Sequence, residues 1–219
     1  MALWAVGLDW GMSQTTPSPL GEMRVADLLD ALAAKTPAPG GGAAACVVGA
    51  IGLALAGMVL SYSVGRKVRS PHEGMLLTAQ ERLAAMRGRL LELGDADAAA
   101  YATLNAMMRK DANPAPGMLA EASRACTEIP MDALGVIADA IDVMATLADT
   151  TNPHLRSDLR VAVQTARAAA PRCAENVRVN LGTLGTHAGE DEARIARQRC
   201  DRVLASAVNA ADGVERATA

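Results

Sequence analysis

The sequence predicts an all-α fold, a multi-helix bundle around a buried central helix of small residues. Three observations carry this. The apolar fraction is 51 % and rests on Ala, Leu, Val and Met, with no Phe, two Trp and two Tyr; these are helix formers far more than strand formers. Apolar residues recur at helical spacing along most of the chain, and no period-two stretch is long enough for a sheet. From Thr36 to Gly65 there is no charged side chain, and Ala43 to Leu60 is uninterrupted apolar or glycine. A helix apolar all round belongs in the core of a bundle, where glycine and alanine let its neighbours approach closely.

Taken in order, Val25, Leu28, Leu29 and Leu32 describe a first amphipathic helix ending near Lys35. Thr36-Pro37-Ala38-Pro39-Gly40-Gly41-Gly42 is a turn of helix breakers, after which the neutral helix begins. Ser70-Pro71-His72-Glu73 combines an N-cap, a proline at the first helical position and a reciprocal glutamate, and opens a third helix. Gly94-Asp95 predicts a break or kink, followed by Asp97, Tyr101, Leu104 and Met108 on one face. Asn113 to Gly117 is a loop. A long helix then runs to about Ala148 with a kink or junction at Pro130. Thr151-Asn152-Pro153 breaks the chain, and two helices complete it, about 155 to 181 with a bend at Pro171, and 188 to 213. The expected organisation is an N-terminal extension over 1–22, flexible, and one helical domain over 23–215.

The net charge of -3 lacks the basic surplus of a nucleic-acid binder. The length of the neutral run meets the threshold for a membrane span, but its glycines dilute the strong inserters, and the core-helix reading is preferred. Cys46, Cys126, Cys173 and Cys200 are dispersed without CxxC spacing or a neighbouring histidine, so they read as buried small residues rather than metal ligands. No disulfide pattern and no basic N-terminal leader point to the cytoplasm.

Several residues can carry chemistry. Gly40, Gly41 and Gly42 lead into a helix N-terminus, which either offers backbone N–H groups to an anion or is simply a tight turn. Asp95 and Asp97 are either capping acids or carboxylates held against apolar surface, where a raised pKa suits acid/base work. Arg66 and Lys67 follow the neutral helix as dipole-favoured cations or as holders of an anionic substrate. Asn152, Ser157, Asp158, Asn176 and Asn180 interrupt alanine-rich helices, lining a pocket or bonding between helices.

In this order the segments resemble the folate cyclodeaminase/cyclohydrolase family, which includes methenyltetrahydrofolate cyclohydrolase and the cyclodeaminase half of formiminotransferase-cyclodeaminase. The specific part is Pro37-Ala38-Pro39-Gly40-Gly41-Gly42-Ala43-Ala44-Ala45; Gly65-Arg66-Lys67, Asp95-Ala96-Asp97 through Tyr101, Ile129-Pro130, Asn152 with Ser157-Asp158, and Asn176 with Asn180 are similar to further family motifs. Gly65-Arg66-Lys67 departs from the family's Gly-Lys-Lys, exchanging a flexible point charge for a planar fork.

The resemblance implies a homodimeric cytoplasmic enzyme of one-carbon metabolism that acts on a tetrahydrofolate derivative as substrate, with no permanently bound cofactor, no metal, no nucleic acid and no membrane partner. The expected activity is hydrolysis of 5,10-methenyltetrahydrofolate to 10-formyltetrahydrofolate. The alternatives are formimidoyltetrahydrofolate cyclodeaminase and a non-catalytic folate-binding or scaffold member. The resemblance assigns catalysis to Asp97, assisted by Asp95 and Lys67. It assigns substrate binding to Pro39, Gly40, Gly41, Gly42, Arg66, Tyr101, Asn152, Asp158, Asn176 and Asn180.

Overall fold

The computed structural model describes residues 18–65 and 71–218. Within them the chain forms α1 (Val25–Ala33), α2 (Gly41–Ser61), α3 (Glu73–Met107), α4 (Met118–Ala145), α5 (Arg156–Ala188) and α6 (Glu190–Ala217), with a short 3-10 turn at Pro153–Leu155. No strand occurs among the described residues.

α2 is the organising element, and its composition explains how. It packs against α3 on one side and α5 on the other, and touches α4. At Gly52 a Cβ would stand 2.8 Å from the Ala162 carbonyl oxygen and 2.9 Å from the Ala166 nitrogen, so α2 and α5 meet nearly backbone to backbone. Their close approach buries Leu53, Ala56, Ala162, Val163 and Ala166 almost completely. Many small contacts thereby replace the aromatic side chains the chain lacks. The predicted enclosure of α2 on all sides is only partly realised. Val48 and Ile51 remain open, Ile51 with 56 % of its surface exposed, while the opposite face is core. α2 is the one described helix long and apolar enough to cross a membrane, and 56 % of its most apolar window is buried within the protein.

The remaining helices depart from the expected boundaries in instructive ways. Gly94-Asp95 does not break the chain: α3 runs unbroken for 35 residues. Gly94 is there for space, since its absent Cβ would lie 2.6 Å from Leu20 Cδ1 and 3.2 Å from Cys46 Cβ. Pro130 and Pro171 lie inside continuous helices. The expected cap Ser70 lies outside the described residues; His72 occupies the N-cap without a side-chain cap bond, and Glu73 accepts the Gly65 N–H at 3.0 Å. Of the extension expected over 1–22, residues 1–17 lie outside the described residues, whereas Leu20 is buried with Leu28 and Ala43. Leu20, expected within the extension, instead fills the space that Gly94 leaves.

α6 closes the bundle over α4 and α5. Arg124–Glu192 and Arg199–Glu128 tie it to α4 at 2.7 and 2.6 Å, and Arg178–Asp201 and Arg167–Asp212 tie it to α5 at 2.8 and 2.7 Å. These pairs are half-exposed and fix register more than they stabilise. The α2–α5 contact makes a direct prediction. Gly52→Ala forces a methyl into two backbone groups and is expected to lower unfolding free energy by about 1–3 kcal/mol, read by urea denaturation; an unchanged midpoint would show that the helices are not in backbone contact.

Candidate functional site

α2 and α5 run antiparallel, so the Gly41 end of α2 faces the middle and C-terminal half of α5. There the two helices, α3 and α4 enclose a cavity of about 230 Å³. The turn before α2 contributes Pro37, Ala38 and Gly40; α2 contributes Gly41 and Gly42; α3 contributes Asp97, Ala98 and Tyr101; α4 contributes Cys126; α5 contributes Asn176, Val179 and Asn180. Among the described residues the lining contains one carboxylate and no Lys, Arg or His.

The glycines are there because nothing larger fits. The Asp97 carboxylate lies where a Cβ on Gly42 would stand, its Cγ 2.6 Å from that point and Asn176 Nδ2 3.2 Å from it. The first intrahelical bond here is Ala44 N–H to Gly40 O, at 3.0 Å. The N–H groups of the preceding residues therefore have no partner within the helix and lie at its positive end. An acid, a carboxamide and a set of backbone donors thus meet at one helix terminus.

Asp97 is not a cap, since it lies well inside α3. Beneath it are Cys46, Leu93, Ile129, Ala133 and Cys173, all apolar or thiol. Burial on this floor raises the Asp97 carboxyl above its ordinary value of 3.8. The neighbouring Cys126 thiol is pushed up to about 11, first by burial and then by the Asp97 charge. A carboxyl destabilised as an anion and open to a cavity is a suitable acceptor for a proton.

The structure gathers part of the predicted set. Gly40, Gly41, Gly42, Asp97, Tyr101, Asn176 and Asn180 line the same cavity, with Tyr101 at its mouth and 47 % exposed. Pro39 belongs to the same turn, joined to Ala38 by a cis peptide bond, but does not line the cavity. Asp95 faces elsewhere: its carboxylate accepts the Leu20 N–H at 3.0 and 3.3 Å and anchors the start of the fold. Consecutive odd positions on a helix diverge by about 200°, so Asp95 and Asp97 cannot share a site.

Asn152 and Asp158 also stand apart. Asn152 accepts the His154 N–H at 3.2 Å and donates its own N–H to Ser63 Oγ at 2.9 Å, while Asp158 lies in the first turn of α5. From there to Asn176 the helix rises about 27 Å. Arg66 and Lys67 lie outside the described residues. The sequence reading missed Cys126, which passed for core, and Val179, an apolar residue 71 % exposed beside the two asparagines. The sequence shows a valine between Asn176 and Asn180, but its exposure is set by the fold.

Because native Asp97 holds its proton more tightly than the unfolded chain does, ionising it costs stability. The cost is absent below the ordinary carboxyl value, grows as pH rises toward the raised native value, and is fully present above it. Asp97→Asn is therefore expected to melt at or above the wild-type temperature at pH 7, the difference shrinking as pH falls through the raised native value toward 3.8 and vanishing below it. A variant that melts lower than wild type at pH 7 would contradict this.

Comparison with known proteins agrees with this architecture. Residues 24–199 match the family described as formiminotransferase-cyclodeaminase. Methenyltetrahydrofolate cyclohydrolase of Methylorubrum extorquens is 33 % identical over 180 residues, covering 78 % of this chain and 86 % of that one. Formimidoyltransferase-cyclodeaminase of Rattus norvegicus is 28 % identical over 154 residues, 68 % of this chain but only 28 % of that longer protein. The crystal structure of formiminotetrahydrofolate cyclodeaminase from Thermotoga maritima superposes with a TM-score of 0.80 at 24 % identity, covering 90 % of this chain and 96 % of that one, which shows the shared fold. The chain belongs to the formiminotransferase-cyclodeaminase family.

Proposed function

We propose that the protein is a methenyltetrahydrofolate cyclohydrolase, hydrolysing 5,10-methenyltetrahydrofolate to 10-formyltetrahydrofolate. The observation that carries the reading is the half-buried Asp97 carboxylate held against the start of α2 in a cavity shared with Asn176 and Asn180, in a chain 33 % identical to a protein of that name. The substrate ring is a cation and its amidinium carbon is already electrophilic. Among the described residues the charged group of the cavity is the Asp97 carboxylate, and an acidic group suits that cation.

The chemistry asks for a proton acceptor and then a proton donor. Asp97 takes a proton from water as the oxygen bonds to the amidinium carbon. The same carboxyl returns the proton to the N5 nitrogen as the carbon–N5 bond breaks, while the new hydroxyl releases its remaining proton to solvent and becomes the oxygen of the formyl group left on N10. Tyr101 packs beside the ring, and the Gly40 to Gly42 backbone and Asn176 contact its polar edge. This sequence needs no permanently bound cofactor. Formimidoyltetrahydrofolate cyclodeaminase is the second reading, favoured by the names of the rat relative and the Thermotoga structure.

The enzyme acts in the cytoplasm as a homodimer. The support for a dimer is the uncharged face that α2 leaves open at Val48 and Ile51, continued at helical spacing by the half-buried Leu55 and Met58. An antiparallel pairing of two such faces would set the Gly65 end of one α2, which Arg66 and Lys67 follow in sequence, beside the Gly41 end of the other.

Purified protein is expected to accelerate the decay of methenyltetrahydrofolate absorbance. Asp97→Asn should lower kcat by about 10²–10⁴-fold. Gly42→Ala, which displaces that carboxylate, should lower it by about 10–100-fold with an unchanged circular dichroism spectrum. In the wild type, kcat/KM should rise with pH through an ionisation above 3.8. Wild-type protein without effect on the decay would refute the reading, and ammonia release from formimidoyltetrahydrofolate would replace it with the cyclodeaminase. Ile51→Asp should convert dimer to monomer in light scattering; a wild-type monomer would contradict the proposed assembly.

A further inference from the structure

Pro130 has a consequence at the cavity that its place in the helix does not advertise. In an α-helix the carbonyl of residue 126 accepts the N–H of residue 130, but proline has no N–H and its ring crowds that carbonyl. Cys126 O is thereby freed inside a buried stretch of α4. Asn180 on α5 meets it, donating Nδ2–H at 2.7 Å. The second Nδ2 hydrogen goes to Asn176 O at 3.0 Å. A carboxamide has two donor hydrogens, and both are now used. The opposite amide orientation would set Oδ1 against two carbonyl oxygens, so the orientation is dictated by the acceptors around it.

What remains of Asn180 for a ligand is Oδ1, an acceptor. It makes no hydrogen bond to any described residue, and no buried side-chain oxygen or nitrogen among them lacks a partner, so Oδ1 is accessible. Asn180 lines the cavity, whose other polar side chains include Asp97 and Asn176. We infer that Asn180 is a binding residue of fixed polarity, with Pro130 as its positioning residue, and that it selects ligands presenting an N–H donor to the α5 wall of the cavity. This rests on the folate reading, under which the donor is the amino and amide N–H edge of the pterin ring.

The test compares two stable ligands by titration calorimetry, 5-formyltetrahydrofolate and its 2-desamino-2-methyl counterpart, which lacks the exocyclic amine. Wild type is expected to favour the first by about tenfold or more, because the second leaves Oδ1 without a donor. Asn180→Leu should weaken the first ligand by about tenfold to a hundredfold and bring the ratio close to one. Pro130→Ala returns a main-chain N–H to Cys126 O, releases the amide to rotate, and should lower the ratio while α4 stays helical by circular dichroism. The same comparison in Pro130→Ala decides the matter if Asn180→Leu does not fold. Equal binding of both ligands by wild type, or a ratio undiminished in either folded variant, overturns the assignment alone. Binding of neither ligand overturns the folate reading and the assignment with it.

Discussion

The site depends on one contact, the Asp97 carboxylate of α3 resting on Gly42 in the first turn of α2. A side chain at position 42 would occupy the volume of the carboxylate, so the glycine is required by its neighbour rather than by backbone conformation. The contact brings an anion to the positive end of a long helix while burying it on an apolar floor. The helix end favours the charged form and burial opposes it; burial prevails, and the carboxyl is raised above its usual range. An acid balanced in this way can accept and return a proton within one catalytic cycle.

The same economy of small residues runs the length of α2. Gly52 permits backbone contact with α5, and on α3 Gly94 admits Leu20 and Cys46. These contacts hold α3 and α5 at fixed distances from α2 and so determine where Asp97, Asn176 and Asn180 converge. At the buried Pro130 the orphaned carbonyl becomes part of the site through Asn180. An element that interrupts helical hydrogen bonding thus orients a polar group at the cavity wall.

Much of this was legible in the sequence. The neutral run announced a core helix, the triple glycine marked its start, and the spacing of Asn176 and Asn180 put them on one face. Asp97 and Tyr101, one turn apart, likewise lie together in the cavity. Distance along rigid rods was not legible: within one chain Asp158 lies at the other end of α5 from Asn176, and Asn152 precedes that helix, bonded to Ser63. Asp95 sits two positions from Asp97 and binds Leu20, because neighbouring helical residues point apart. Gly94 suggested a break because glycine's propensity is poor, whereas its tertiary role is to leave room.

The site turns on the environment of Asp97, and a heteronuclear NMR titration of its side-chain carboxyl carbon measures that environment directly. The structure predicts a midpoint above the ordinary 3.8, because burial on the Cys46 and Cys173 floor disfavours the anion. A midpoint at or below 3.8 would mean a carboxylate solvated or paired elsewhere, and would contradict the picture of a shielded acid at the start of α2.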